Sequence, residues 1–219
     1  MNKKALFAFL KQQAPSTLCQ LLEAAFVAMT TNQRRDVFGK LKFDKYAPKF
    51  DEKSLLKKVG KFYDDSIRGA YYAPFNMNSK NYMNIPEETE AWFEDLSELL
   101  EGAAGLSEEG KHTPAVECFK ILYELINKME HGDEIVFADE CGSWMIPGGE
   151  RVFIRAYLHS LSSIHTPEEY TEAVMPLLQR DSCQSLHNNV YKVAIEVAGR
   201  EQRKALETAV KSRKIKVIR

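Results

Sequence analysis

Apolar residues recur along this chain at a helical period rather than a strand period. The spacing i, i+3, i+4, i+7, which marks one buried helix face, returns in one segment after another. The alternation of apolar and polar residues that is typical of half-buried strands is nearly absent. Only Ile135–Phe137 and the terminal KIKVIR could extend locally, and both are too short to indicate a sheet. The sequence therefore predicts an all-α chain.

Local start and stop signals divide this pattern into about nine or ten helices. Thr113 and Thr166 each precede a proline, which suits a capping hydroxyl followed by the first helical residue. Gly102 and Gly105 are expected to break the chain, Pro176 to kink or end its helix, and Gly199 to terminate another. The predicted helices span residues 2–13, 15–29, 30–41, 51–70, 87–100, 113–129, 151–164, 182–198 and 201–213, with one more opening at 166.

The number of helices and their short connections limit the architectures that the chain can adopt. So many helices of 12–18 residues are hard to wrap around one centre, which favours an irregular α-solenoid built from degenerate helical repeats. A compact multi-helical bundle is the alternative. No exact internal repeat is visible at a fixed period. We expect one helical domain over residues 1–219, with a possible soft boundary near residues 71–86.

Charge is distributed unevenly, although the formal net charge is only −1. Residues 87–140 carry 16 acidic side chains and three lysines, a balance of −13, whereas residues 34–68 carry 11 basic and six acidic ones, a balance of +5. Residues 200–219 hold eight basic and two acidic side chains, a balance of +6. These charges form either solvated helix faces that balance one another or an acidic central face for a basic partner.

The stretch FADECGSWMIPGGE, residues 137–150, concentrates polar side chains between two predicted helices. Its CGSW run is similar to the papain-type signature C-G-S-C-W, but the nucleophilic second cysteine is missing and only 78 residues follow Cys141. We expect Phe137 and Trp144 to pack on the flanking helices. The loop is then either a packed turn or a binding loop. Its candidate binding residues are Asp139, Glu140, Ser143 and Trp144.

The stretch YYAPFNMNSKNYMNIP, residues 71–86, is the most aromatic and least regular part of the chain. Its asparagines and prolines favour turns over a continuous helix. Tyrosine rings beside adaptable amides suit a recognition surface, and they suit equally a loop with its aromatic rings turned inward. The candidate binding residues here are Tyr71, Tyr72, Phe75, Asn76, Asn81 and Tyr82.

Motifs for metals and cofactors are sparse. Cys183 and His187 stand i, i+4 on a predicted helix, but a structural zinc site takes four ligands, commonly from two such pairs, and no second pair occurs. The chain contains no phosphate-binding loop, dinucleotide fingerprint or calcium loop. We therefore expect no cofactor, no metal and no catalytic residue.

The cysteines and the apolar runs bear on the compartment. Four widely spaced cysteines are typical of a protein from a reducing compartment. The apolar run ALFAFL is shorter than a signal-peptide core, and Lys11 follows where a cleavage site should stand. No stretch approaches 18 continuous apolar residues. The sequence predicts a cytoplasmic protein that does not associate with a membrane.

Two segments carry a resemblance to a known family. FYDDSIRGAYYAPFNMNSKNYMN at 62–84 and IVFADECGSWMIP at 135–147 resemble a bacterial family of uncharacterised helical proteins. Members of this family pair an F-x-x-S-x-x-G-x-Y-Y-x-x-F-x-x-N-S-K-N segment with an F-A-D-E-x-G-S-W loop. The resemblance covers about half of the chain and implies an all-helical bacterial protein. It implies no activity and no site residues.

Three functions remain after these exclusions. The first is a non-catalytic interaction scaffold or adaptor, which presents the acidic face of residues 87–109 and 133–140 to a basic partner protein; an immunity-type inhibitor is a variant of it. The second is nucleic-acid binding through the basic C-terminal region, although no nucleic-acid fold motif accompanies it. An unrecognised enzyme is the third, and the oligomeric state stays open. The nucleic-acid candidates are Arg200, Arg203, Lys204, Lys211, Arg213, Lys214 and Lys216.

Overall fold

The chain folds into helices, and the predicted all-α class is confirmed. The computed structural model describes residues 3–29, 33, 37–38, 51–82, 84–137, 142–147, 149–183 and 189–215. Over these residues it contains nine α-helices and no strand. The helices are α1 Lys3–Leu10, α2 Pro15–Ala28, α3 Glu52–Ile67, α4 Glu87–Glu108, α5 His112–Glu130, α6 Glu150–Ile164, α7 Pro167–Cys183, α8 Val190–Val197 and α9 Arg200–Ser212.

The chain divides into two compact units, residues 1–47 and residues 48–219. The first unit contains α1 and α2, and none of its described residues is buried. Of the predicted helix at residues 30–41, only residues 33, 37 and 38 are described, and they are helical. The segment 71–86 lies within the second unit. The expected single domain over residues 1–219, with a soft boundary in this segment, stays a prediction.

The second unit holds the hydrophobic core. Helix α5 packs against α3, α4 and α6, while α6 also packs against α4, α7 and α8, and α9 against α7 and α8. Phe119, Leu122 and Ile126 of α5 are fully buried, as the wide apolar face of this helix predicts. The choice between an irregular α-solenoid and a compact bundle stays a prediction.

Two helix starts in this unit follow from local sequence. The side chain of Asp51 accepts a hydrogen bond from the Ser54 backbone N–H at 2.8 Å and so caps α3. The predicted cap at Thr166 is confirmed and forms a capping box before α7: the Glu169 N–H donates to the Thr166 hydroxyl, and the Thr166 N–H donates to the Glu169 carboxylate at 3.0 Å.

The predicted break at Gly102 and Gly105 is wrong because tertiary packing outweighs local propensity. Helix α4 continues through Gly102 and Gly105 to Glu108, and Leu100, Ala103 and Leu106 remain fully buried along it. Burial of these side chains outweighs the cost of about 1 kcal/mol that each glycine adds to a helix. Pro176 is predicted to kink or end its helix. Helix α7 does not end there but continues to Cys183, and the kink stays a prediction.

Two predicted helix starts also differ from the structure. Helix α5 begins at His112, so Thr113 lies inside its first turn and does not cap it. The predicted helix at 182–198 begins only at Val190, because Asn189 is left-handed with φ 48° and ψ 48°. The predicted stop at Gly199 is confirmed, since α8 ends at Val197. Gly199 itself has an extended backbone and starts α9, where its N–H donates to the Gln202 side chain at 2.9 Å.

Candidate functional site

A groove of about 1160 Å³ lies among helices α5, α6 and α7 of the second unit. Helix α5 lines it from Thr113 to His131, α6 contributes Tyr157 and Leu161, and α7 lines it from Glu169 to Arg180. This volume is slightly above the usual range for a small-molecule pocket, and the groove is open to solvent. It therefore has room for a side chain and the segment that carries it.

The faces of α5 and α7 that line the groove carry polar residues beside members of the hydrophobic core. On α5 the lining residues Val116, Lys120, Tyr123, Asn127 and Glu130 follow the three- and four-residue spacing of one helix stripe. Among the described residues, α5 and α7 do not form one of the helix pairs that pack extensively. The space between them is therefore left open.

A buried ion cluster bridges α5, α6 and α7 at one part of this groove. The Arg180 guanidinium donates to both carboxylate oxygens of Glu130, at 2.7 and 3.0 Å, and also to the Glu150 carboxylate. The three side chains are at most 10% exposed. Burial alone would lower the pKa of Arg180, but the bonds to the two carboxylates raise it more, so the guanidinium stays charged.

Stacked aromatic rings lie next to the ion cluster. The rings of Tyr123 and Tyr157 stack with centroids 5.5 Å apart, Phe119 stacks on Tyr157 at 5.2 Å, and the Arg180 guanidinium lies 5.6 Å from the Tyr123 ring centroid. Burial raises the pKa of Tyr157 to about 12 and that of Tyr123 well above its ordinary value. Both phenols are therefore neutral near pH 7.

The hydroxyl of Tyr123 is the unusual atom of this arrangement. It is buried and has no hydrogen-bond partner among the described residues. By contrast, the equally buried Tyr170 donates its hydroxyl to the Ala194 carbonyl at 2.9 Å. Buried polar groups are nearly always paired, so an orphaned hydroxyl beside a groove indicates a position where a ligand group can bind.

Carboxylates outnumber cations along the groove. Five glutamates line it against one lysine and one arginine, a balance of −3 with the two histidines neutral. The glutamates are Glu117, Glu124, Glu130, Glu169 and Glu172. Glu124 accepts a hydrogen bond from the Tyr63 hydroxyl at 2.8 Å, and Glu172 pairs with Arg213. The groove thus attracts cations, and part of its charge is already compensated.

The 137–150 loop is attached to the ion cluster. The Ser143 backbone N–H donates to Glu130 at 3.1 Å. Trp144 is 71% exposed, so the prediction that it packs on the flanking helices is wrong. Its indole instead lies over Gly142, where an added Cβ would stand 2.7 Å from the ring. The candidates Asp139 and Glu140 lie outside the described residues.

The aromatic segment meets the same loop through Phe137. The rings of Tyr72 and Phe75 contact the Phe137 ring edge-on, with centroids 5.9 and 5.2 Å apart. The structure therefore brings two candidates from residues 71–86 together with the start of the 137–150 loop. Half-buried Tyr71 packs its ring on Phe62 and donates its hydroxyl to Asp95 at 2.7 Å.

The asparagines of this segment bind their own backbone. The Asn81 side chain donates to the Asn76 carbonyl at 2.9 Å and accepts from the Asn78 N–H at 2.7 Å. Its amide thus stabilises a local turn. Tyr82 is 58% exposed, so its ring is accessible to solvent. The role of these residues in binding stays a prediction.

The basic candidates of the C-terminal region occupy helix α9 and the turn after it. Arg200, Arg203 and Lys211 are exposed, and Lys204 pairs with Glu201 at 3.1 Å. Arg213 pairs with the groove residue Glu172, Lys214 is exposed with a positive φ of 53°, and Lys216 lies outside the described residues. The nucleic-acid alternative stays a prediction.

A chain of hydrogen bonds elsewhere in the second unit has a structural role. His112 Nδ1 lies 3.3 Å from the Ser160 hydroxyl, which donates to Ser107 at 2.8 Å, and Ser107 donates to the Ala156 carbonyl. Because each hydroxyl has one proton, His112 must be the donor to Ser160. Ser160 is fully buried, so this chain ties α4, α5 and α6 together and presents no accessible nucleophile.

The cysteines and histidines bear on metal ligation. Among the described residues no three His, Cys, Asp or Glu side chains form a group that could hold a metal ion. His187, one half of the predicted i, i+4 pair, lies outside them. Burial raises the pKa of the Cys118 thiol to about 12, which makes it a poor ligand and a poor nucleophile.

The residues that build the groove were not among those singled out from sequence. Glu130 and Arg180 are 50 positions apart, and no local pattern links them. Tyr123 lies beside the apolar stripe of α5, and the sequence pattern predicts that it is a core residue. The one signal that could have found them is a second stripe on α5, in which Lys120, Tyr123, Asn127 and Glu130 share a face that is polar at most positions.

Comparisons with known proteins do not add to this picture. No model of a protein family matches the chain, and neither the curated proteins nor the solved structures include a match. Within the part of the chain that the structure describes, no helix is both long enough and apolar enough to cross a membrane.

Proposed function

We propose that this protein is a non-catalytic helical scaffold or adaptor that binds a cationic segment of a partner protein in the groove among α5, α6 and α7. The observation that carries the proposal is an open groove with a net charge of −3, which lies beside the stacked rings of Tyr123 and Tyr157 and the buried ion cluster. Negative potential in a cleft attracts and orients cationic partners.

The charge states of Arg180, Tyr123 and Tyr157 support binding rather than proton transfer. The Arg180 guanidinium is held charged by Glu130 and Glu150, while burial keeps Tyr123 and Tyr157 neutral. A general acid or base works best with a pKa near the working pH, and these three groups are shifted away from it. They are suited to fixing the shape and charge of a recognition site.

Location and source are further parts of the proposal. We place the protein in the cytoplasm, since few and widely spaced cysteines are typical of a reducing compartment. A bacterial source follows from the family resemblance of residues 62–84 and 135–147. An irregular solenoid would suit the role, because stacked helices offer extended grooves to partner segments.

Binding of a labelled cationic peptide tests the proposal directly. The probe is an acetylated and amidated peptide with arginine at every second position, and its affinity is measured by fluorescence anisotropy. The variant Glu117→Gln/Glu124→Gln removes two groove carboxylates, and the amide at 124 can still accept from Tyr63. We expect it to weaken binding about threefold or more, with the loss shrinking as salt is raised.

The matched control is Glu98→Gln/Glu108→Gln, which removes the same charge from exposed positions of α4 outside the groove. This helix carries much of the acidic face that the sequence predicts. Loss of binding only in the α4 variant would place the interface there and contradict the groove. A wild-type protein that binds the arginine peptide no better than a glutamate peptide would contradict the proposed function itself.

A further inference from the structure

The hydroxyl of Tyr123 carries an inference about what the groove recognises. Tyr123 lines the groove from the middle of α5, is 5% exposed, and leaves its hydroxyl oxygen without a hydrogen-bond partner. The same side chain is held firmly, because its ring stacks on Tyr157 and lies beneath the Arg180 guanidinium. The hydroxyl is thus fixed in place and has unused capacity both to donate and to accept.

The charges around this hydroxyl select among possible ligands. Burial is the main cause that raises the pKa of Tyr123. The carboxylates of Glu150 and Glu130 raise it further while the charge of Arg180 opposes them, so all three charged groups are near the hydroxyl. An anion would meet these carboxylates, and Arg180, the nearby cation, already donates from three of its nitrogens to them. A cationic group that donates a hydrogen bond gains both the free lone pair of the phenol and the attraction of the carboxylates.

We propose that Tyr123 is the specificity-determining contact of the groove and accepts a hydrogen bond from a guanidinium or ammonium group on the partner's bound segment. The inference rests on the proposed function. The methylene groups of an arginine or lysine side chain would lie along the apolar lining residues Val116, Leu161, Ala173 and Leu177.

Access to the hydroxyl requires a local adjustment. The oxygen is shielded from solvent, so the incoming cation has to displace neighbouring side chains. Lys120 and Asn127 lie about one turn away on either side of Tyr123 in α5, and both are exposed. We expect these two side chains to rotate and open the path while the buried ring and the ion cluster stay in place.

The substitution Tyr123→Phe tests this contact, since it removes only the hydroxyl. Its matched control is Tyr170→Phe, which removes a hydroxyl that is equally buried but bonded to Ala194 and does not line the groove. Affinities are measured for the arginine peptide and for a peptide of the same length with citrulline, the neutral isostere, in place of arginine. Melting temperatures are recorded in parallel.

We expect Tyr123→Phe to weaken arginine-peptide binding about tenfold, to remove most of the preference over citrulline, and to leave the melting temperature unchanged or higher. Tyr170→Phe should lower the melting temperature and leave the affinity unchanged.

Two results would overturn the inference, and they are distinguishable. If wild-type protein binds the arginine peptide and Tyr123→Phe binds it equally well, the contact is wrong while the proposed function stands. If wild-type protein does not prefer the arginine peptide over the citrulline and glutamate peptides, the proposed function fails and the inference fails with it.

Discussion

At the scale of single residues, some buried polar atoms of this protein have a hydrogen-bond partner and others do not. The Trp92 indole N–H donates to Ser66 at 2.9 Å, and Gln202 donates to the carbonyls of both Ser162 and His165 at 2.9 Å. Each of these bonds satisfies a group that would otherwise lose its hydration on folding. Against this background the unpaired Tyr123 hydroxyl is an exception, and its cost to the free energy of folding is about 1–3 kcal/mol.

His112 provides a residue-scale prediction about pH. Burial, together with the nearby His159 ring at a centroid distance of 5.2 Å, lowers the pKa of His112 below its ordinary value. A histidine whose pKa is lowered in the folded state contributes stability above its unfolded pKa of about 6.5, and this contribution is lost as the pH falls through the folded pKa. We therefore expect the melting temperature to fall between pH 8 and pH 5.

The variant His112→Gln isolates this contribution. Its drop in melting temperature between pH 8 and pH 5 should be smaller than that of the wild-type protein, because glutamine does not titrate. Equal drops in the two proteins would show that His112 does not contribute to the acid sensitivity.

At the scale of helices, the ion cluster of Glu130, Glu150 and Arg180 joins three elements that the chain brings together from distant positions. Glu130 lies at the end of α5, Glu150 at the start of α6 and Arg180 in the last turn of α7. The Glu150 carboxylate is also well placed for the positive end of the α6 dipole. The cluster thus fixes the position of the last turn of α7 relative to α5 and α6.

Loss of the cation should cost far more here than at the surface. We expect Arg180→Ala to lower the free energy of unfolding by about 3–5 kcal/mol, because two buried carboxylates lose their partner. Arg155→Ala breaks the half-exposed pair with Glu196 and should cost about 1 kcal/mol or less. Urea denaturation of both variants gives the comparison.

A combined replacement separates charge from packing. The variant Arg180→Met/Glu130→Gln/Glu150→Gln removes all three charges and should recover a large part of the stability that Arg180→Ala loses. Similar small losses in Arg180→Ala and Arg155→Ala would mean that the cluster does not fix these helices.

The helices themselves were largely predictable, and the groove was not. Apolar spacing predicts the buried stripe of Leu55, Val59 and Phe62, and the Thr166 cap depends on residues within one turn. The continuation of α4 past Gly102 depends on burial against neighbouring helices, which a local rule does not contain. The Glu130–Arg180 pair depends on a tertiary contact across 50 positions, and the exposure of Trp144 depends on where the 142–147 backbone runs.

At the scale of the whole molecule, the candidate loop and the groove are physically connected. Ser143 of the 137–150 loop bonds to Glu130, and Glu130 lines the groove and holds Arg180. The predicted binding loop and the groove are therefore both held by Glu130. We expect contact, through charge and aromatic surface, to be the means by which this protein acts.

Hydroxyl-radical footprinting with the arginine peptide tests this account most directly, because it reports the solvent exposure of side chains across the whole chain at once. The account predicts that saturating peptide protects His131, His165 and Ile164, which line the groove, and leaves exposed Tyr82 unchanged. Protection confined to α4 or to residues 200–215, or no protection on a peptide that binds, would contradict the groove as the site at which this protein meets its partner.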